Sequence, residues 1–281
     1  MRRRITVTAA VCLMAAAATG CRTGSSGARS GTTSVINLFT PPSPTQAAIW
    51  AQDEWDPDKR QRGLLLLANA PFGGEEVYLD FYRFALDDDD AGVRIAALRA
   101  LGMHGEPGDV PAIVAQLQQE DQLVRWEAAK ALQRIHNPEA AVPALMTTIR
   151  EDEEQNVDVR AAATIALGQY PERRVLDALV GALSDPSLMV NRDAARSLRM
   201  LTGEEFGLDD LAWVAWLRET DDPFAGLGEY RYPIFERDKR FAEWLVPWLE
   251  PPNEVLGPPA GMPARTQADS TERDDETIRN N

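Results

Sequence analysis

One short motif recurs along the middle of the chain and constrains the fold more than any other feature of the sequence. Each copy begins with Val, continues mainly with Ala and Leu, and starts 31 to 35 residues after the previous one; the copies occupy 93–102, 124–132, 159–168 and, in a weaker form, 190–198. A degenerate earlier copy fits 59–67. Within a copy the apolar residues recur every three or four positions, which is the period of a helix with one apolar face. Each copy therefore predicts a helix.

A turn and a second apolar segment follow each of the three clearest copies. These segments occupy 110–117, 142–149 and 175–183, and Pro111 and Pro143 stand near the start of the first two. Proline is tolerated there because the first amides of a helix have no intrahelical partner. Neither helix of such a pair can bury its apolar face alone, so neighbouring pairs must stack to complete a core. The sequence therefore predicts a linear array of helix–turn–helix units.

The small residues after the Val-Arg start, and the Val-Pro-Ala opening of the second helix at 110–112 and 142–144, resemble the HEAT-like repeats first described in phycobilisome lyases. The resemblance covers about 56–219, or some five units. It implies an all-α fold, a right-handed α-solenoid of about five HEAT-like repeats, which we place at 46–219. The family ranges from chromophore-attaching proteins to scaffolds, so the resemblance implies the fold more than the activity.

Polar residues recur four apart at the start of the units. Three units have Asp followed by Arg, one keeps the spacing with Asn, and the last has neither residue type; the pairs are Asp56 and Arg60, Asp90 and Arg94, Asp121 and Arg125, Asn156 and Arg160, and Ser187 and Asn191. The first residue suits a helix N-cap and the Arg lies one turn further on. The resemblance implies that such positions form a ladder between units, so we assign them to structure. The acidic run 87–90 lacks the ligand spacing of a calcium loop and is interpreted as a helix end followed by a cap.

The N-terminus has the layout of a removable signal peptide. Three arginines precede an apolar stretch at 5–18 and the small residues before Cys21. The motif resembles a lipobox, which implies that the segment before Cys21 is removed and that Cys21 is acylated and becomes the mature N-terminus. The alternative is an ordinary secretion signal with a coincidental cysteine. Residues 22–45, rich in Gly, Ser, Thr and Pro, predict a flexible tether. We expect a bacterial cell-envelope location on the periplasmic face, and Arg22 favours the outer membrane without excluding the inner one.

The C-terminal part departs from the repeat. Residues 220–250 contain many aromatics and are predicted to cap the solenoid, with a helix at 236–246 and with 230–249 folded back on the repeats. The apolar residues expected to cover the last repeat are Phe235, Phe241, Trp244, Leu245 and Trp248. The alternative is a recognition patch, because Trp and Tyr favour interfaces. Residues 251–281 are predicted to be a disordered acidic tail.

Charge and motif content weigh against several function classes. A formal net charge of −15 disfavours nucleic acid as a partner, because phosphates would be repelled. The only two histidines, His104 and His136, are expected to be exposed turn residues; a weak surface metal site with Glu106 and Glu139 is the alternative. Once residues before Cys21 are removed, no free thiol remains. We therefore expect no cofactor, no metal and no enzymatic activity.

The function that remains is binding. Second helices usually line the concave face of such a solenoid, and the residues six places after each second-helix Val are Gln116, Thr148 and Gly181. We predict that they form an uncharged ridge that accepts a protein or peptide partner, in an adaptor held at the membrane by its lipid. The alternatives are a structural accessory subunit of an envelope complex and, least favoured, a lyase-like or metal-dependent enzyme. Export argues against a lyase of cytoplasmic phycobiliproteins.

Overall fold

The computed structural model describes residues 42–238, 244, 254 and 256–263, and Cys21 with nearly all of the predicted tether lies outside them. The described residues contain eleven α-helices and no multi-residue strand. In chain order they are α1 (Pro44–Ala51), α2 (Pro57–Ala68), α3 (Glu76–Phe84), α4 (Ala91–His104), α5 (Val110–Ala115), α6 (Gln122–Leu132), α7 (Pro138–Thr148), α8 (Val157–Leu167), α9 (Arg173–Ala182), α10 (Leu188–Thr202) and α11 (Asp210–Glu219).

The helices from α2 onward form two layers. The first helices of the units, α2, α4, α6, α8 and α10, contact one another in that order, and the second helices α5, α7, α9 and α11 do the same on the other side. The second helices α5, α7 and α9 also pack on neighbouring first helices, and the buried Ala, Val and Leu residues between the layers form one continuous core. This is the predicted α-solenoid. The helix α1 covers α2 at the N-terminal end.

Side-chain caps begin the first helix of every unit, as predicted. The carboxylate of Asp56 accepts a hydrogen bond from the amide of the third residue that follows it, at 3.2 Å, and Asp90 does the same at 3.1 Å. The side chains of Asp121, Asn156 and Ser187 accept from amides two residues on at 2.7, 3.0 and 3.3 Å. These bonds satisfy donors that a helix start leaves unpaired. The cap positions are therefore structural.

The arginines one turn after the caps connect consecutive units in what we call the arginine ladder. The acid that each arginine reaches is not the cap but a carboxylate two residues before the cap of the next unit. The three bidentate pairs are Arg60 with Asp88 at 2.8 and 2.8 Å, Arg125 with Glu154 at 2.6 and 3.0 Å, and Arg160 with Asp185 at 2.8 and 3.1 Å. Burial raises the pKa of Glu154, but its hydrogen bonds from Arg125 and from a backbone amide outweigh burial and lower it overall.

One step of the arginine ladder has no acid. The residue two positions before the cap Asp121 is Gln119, where the other units have Asp or Glu. The guanidinium of Arg94 keeps only the bonds to the preceding carbonyl oxygens, those of Asp88 and Asp89 at 2.6 and 3.1 Å, which Arg125 and Arg160 also make in their own units. Its Nε is buried and has no hydrogen-bond partner. The ladder is therefore incomplete between the second and third units.

The end of the solenoid is covered by α11 rather than by the residues we expected. Trp213 is fully buried and meets Phe206 edge-on at 4.9 Å. By contrast, Phe235 is 55% exposed and Trp244 is 71% exposed, so their predicted covering role is wrong. Phe241, Leu245 and Trp248 lie outside the described residues. The reason is local: α11 follows α10 after a short turn and stacks on α9 as an ordinary second helix.

The described residues beyond α11 nevertheless fold back along the first-helix layer. Tyr230 and Tyr232 are buried against Ile165 of α8, and the hydroxyl of Tyr230 donates to the Ile165 carbonyl at 3.2 Å. Further on, the amide of Ala260 donates to the carbonyl of Arg134 at 2.8 Å. The predicted disorder of 251–281 is therefore wrong for the short stretch around Ala260, whose polar backbone pairs with the end of α6. Residues 264–281 lie outside the described part.

Candidate partner-binding site

A groove of about 710 Å³ lies between α7 and α9, the second helices of two consecutive units. On α7 and just after it, the wall consists of residues spaced three or four apart, Pro143, Thr147 and Arg150 with Met146. On α9 the corresponding residues are Arg174, Ala178, Gly181 and Ala182. Because residues at this spacing share one helix face, two parallel stripes enclose the groove.

The groove has an apolar floor and a charged rim. Met146 and Ala178 are half-buried and contact the core cluster. At the rim, Arg150 pairs with Asp152 at 2.5 Å, and Arg174 carries a similar exposed pair with Glu172 at 2.6 Å. Exposed pairs of this kind contribute at most about 1 kcal/mol, so an incoming ligand can replace them. The arrangement suits a segment with both apolar and polar side chains.

Of the three residues predicted to form a binding ridge, only Gly181 lies on an accessible surface. Gln116 is buried and its amide donates to the Leu86 carbonyl at 3.2 Å, and the buried hydroxyl of Thr148 donates to the Ala144 carbonyl at 2.9 Å. The uncharged ridge is therefore wrong for those two residues. Counting six places from Val110 and from Val142 selects the side of the helix that faces the first-helix layer. The three-and-four spacing of exposed residues on α7 and α9 was the signal that could have located the groove.

The two histidines are structural, and the expectation that they are exposed turn residues is wrong. His104 is the last residue of α4, and its Nε2 donates to the Ala68 carbonyl at 2.7 Å. His136 stacks on Tyr170 at 4.9 Å and its Nδ1 lies 3.3 Å from the side-chain oxygen of Gln169. Burial lowers the pKa of His136 below its usual 6.5. Each histidine thus joins neighbouring units, and in 42–238 with the few later described residues no group of His, Cys, Asp and Glu is arranged to hold a metal ion.

The comparison with protein families agrees with this geometry. A model of HEAT repeats matches residues 79–158 and 152–223, which together make up more than half of the chain. The chain is a HEAT-repeat protein. A search of curated proteins finds no match to it.

Several solved structures are similar to this HEAT-repeat protein, and the first, a phycocyanin lyase complex, shows the same fold. The complex of CpcE and CpcF of phycocyanin lyase from Nostoc sp. PCC7120 has 24% identity and a TM-score of 0.51, over 64% of this chain and 71% of that one. The Escherichia coli protein YibA has 23% identity and a TM-score of 0.46, over 56% of this chain. The chain spans 59% of the YibA structure. A designed armadillo repeat protein has 16% identity and a TM-score of 0.44, over 65% of this chain and 94% of that one.

Proposed function

We propose that this HEAT-repeat protein is a non-catalytic scaffold, anchored to a membrane through Cys21, that binds a segment of a protein partner in the groove between α7 and α9. The observation that carries the proposal is the groove itself: an open channel with a half-buried apolar floor and replaceable ion pairs at the rim. Burying apolar surface supplies about 25 cal/mol per Å², and the rim groups fix orientation.

The position of Gly181 explains how a partner could approach closely. A Cβ atom built on Gly181 meets nothing within 4 Å, so the space beside it is open. Glycine inside a helix costs about 0.5–1 kcal/mol relative to Ala. The helix α9 therefore contains a locally unfavourable residue at the point where the groove is most accessible, and close approach of a partner's backbone would account for it.

The shifted carboxylates support a binding role over catalysis. Hydrogen bonds to arginines of neighbouring units or segments lower the pKa values of Asp88, Glu154 and Glu254 despite their burial. Catalytic groups with perturbed pKa values are expected in a cleft. None of these three groups lines the groove between α7 and α9; the pKa of Asp152, which does line it, is lowered by its exposed pair with Arg150. Their ionisation serves the contacts between repeats.

Membrane attachment is proposed from the sequence around Cys21, which lies outside the described residues. Among the helices that the structure describes, none has both the length and the apolarity needed to cross a membrane. A lipid on Cys21 and a tether at 22–45 would hold the solenoid at the periplasmic face of the envelope. We expect Cys21→Ala to move the protein from the membrane to the soluble fraction. Recovery of an unmodified Cys21 by mass spectrometry of membrane-bound protein would contradict the anchor.

The groove is tested by filling it. Gly181→Arg places a large side chain in open space, so the fold should be preserved while a partner is excluded. The matched control is Ala115→Arg, which adds the same side chain at an exposed position of the second helix α5. Partners captured from envelope extract by the wild type and by the control should be lost with Gly181→Arg. If the groove-filled variant keeps the same partners at the same stoichiometry, the groove is not the binding site.

A further inference from the structure

A row of arginines lies along one side of α10, the first helix of the last unit. Arg192, Arg196 and Arg199 are spaced four and three apart, which places them on the same helix face, and all three are exposed. From the first to the last the row is about 10 Å long at 1.5 Å per residue. This concentration of positive charge is unusual in a chain of net charge −15.

Arg196 and Arg199 of this row border a hollow of about 730 Å³ between α10 and residues 226–231, which Glu229 also lines. Arg231 contributes a fourth guanidinium from the opposite wall. The hollow exists because two glycines allow the backbones to cross: Gly203 has φ 79°, and a Cβ on Gly226 would lie 2.2 Å from the Thr202 carbonyl oxygen. We call Arg192, Arg196, Arg199 and Arg231 the arginine face.

The guanidinium groups of this face are available for a new partner. Arg199 pairs with Glu205 at 3.2 Å and Arg231 pairs with Glu229 at 2.9 Å. The two arginine and two glutamate side chains of these pairs are all more than half exposed. Such pairs contribute at most about 1 kcal/mol and exchange readily. Arg196 has no ion pair with any described residue; the half-buried Asp193 acts on it only at longer range. The four arginines therefore outnumber by one the three acids beside them, Asp193, Glu205 and Glu229.

We propose that the arginine face is a docking site for an acidic segment of a protein partner, separate from the groove between α7 and α9. A linear row favours a polypeptide over a compact anion, because alternate side chains of an extended chain lie about 6.6 Å apart, close to the spacing of successive arginines on the helix. Guanidinium groups also bind carboxylates in a bidentate manner.

The overall negative charge of the protein does not prevent an acidic segment from binding at the arginine face. Charges farther away than about 8 Å are largely screened at physiological ionic strength, so an acidic segment responds mainly to the groups of this face, where the arginines outnumber the acids. Over the protein as a whole, the net charge of −15 disfavours the approach of the same segment. Complementary charge therefore fixes where and in which orientation the partner lies.

The test uses the full chain and a fluorescein-labelled octaglutamate peptide, with fluorescence anisotropy at 150 mM salt. We expect the double variant Arg196→Ala, Arg199→Ala to weaken binding at least tenfold and to reduce its salt dependence. The control Arg62→Ala, Arg218→Ala removes two exposed arginines elsewhere and should leave the affinity unchanged. Gly181→Arg should also leave it unchanged, so that failure of the groove and failure of this site are distinguishable.

Three results would overturn the proposal. The first is equal binding by the wild type and by the variant lacking Arg196 and Arg199. The second is no binding by any form of the chain. The third is binding that appears only after residues 264–281 are removed, because the acidic run at 269–276 would then be the natural occupant in place of a partner.

Discussion

Replacing Gln119 with Glu would supply the acid that one step of the arginine ladder lacks. In the other steps, a carboxylate two residues before the next cap receives two hydrogen bonds from an arginine of the preceding unit, as in the pair of Arg160 and Asp185. At Gln119 the amide side chain offers no charge, and the Nε of Arg94 is buried without a partner. Gln119→Glu changes the charge with almost no change in shape. We expect it to stabilise the protein.

The magnitude follows from the partial exposure of the site. A hydrogen bond to a charged group contributes about 1.5–3 kcal/mol, whereas an exposed ion pair contributes at most about 1 kcal/mol. Because Arg94 and Gln119 are both half-buried, we expect an increase of about 1 kcal/mol in the free energy of unfolding. For a folded region of this size, such an increase raises the melting temperature by about 2–4 °C.

Denaturant titration and calorimetry measure the change, and two controls isolate its cause. Gln118→Glu adds the same charge at an exposed neighbouring position and should not stabilise the protein. In an Arg94→Ala background, Gln119→Glu should lose its effect, because the double-mutant cycle removes the partner. If Gln119→Glu is no more stable than Gln118→Glu, or stabilises equally without Arg94, the assignment of this step is refuted.

Three further outcomes follow from other contacts. Asp185→Ala should lower the free energy of unfolding by about 3–5 kcal/mol, measured by urea titration, because it leaves the charge of Arg160 buried without a partner; both side chains are 3% exposed. A loss under 1 kcal/mol would show that this ion pair contributes little to stability. Tyr230→Phe should cost about 1 kcal/mol by removing the bond to Ile165 and should speed hydrogen exchange in the last described residues; unchanged exchange would show that they are held by other contacts. Burial lowers the pKa of His136, so its contribution to stability is present above pH 6.5 and is lost as the pH falls through the lowered pKa; denaturant midpoints between pH 7.5 and 5.5 should decrease less for His136→Asn, and parallel decreases would exclude this histidine.

Part of the arginine face was visible in the sequence but was overlooked because attention fell on the repeat pattern. Residues 190–198 read as a weak copy of the motif, and their arginines were not considered as a group. Arg192, Arg196 and Arg199, in and just after this copy, lie on one face at helical spacing. The row could therefore have been found from the sequence, whereas Arg231 and the hollow could not, because a crossing of Gly203 and Gly226 brings the opposite wall into place.

The sequence by itself determined the helices, their order, their caps and the HEAT-like stacking. These features depend on interactions within about four residues or on a period repeated several times, so each copy supports the others. A cap such as Asp121 bonds amides two and three residues away, and no distant contact is needed to predict it.

Only the tertiary structure decided which side chains are accessible and which distant groups meet. Gln116 and Thr148 turned inward, the partner of Arg125 proved to be Glu154 of the next unit, and Tyr230 rather than Phe235 became buried. The physical reason is that burial depends on contacts between residues far apart in the chain, whose geometry is set by how helices rotate and stack. A periodic pattern predicts which face of a helix is buried, but its boundary is uncertain by about one residue. At that boundary, a shift of one position separates an exposed binding residue from a buried one.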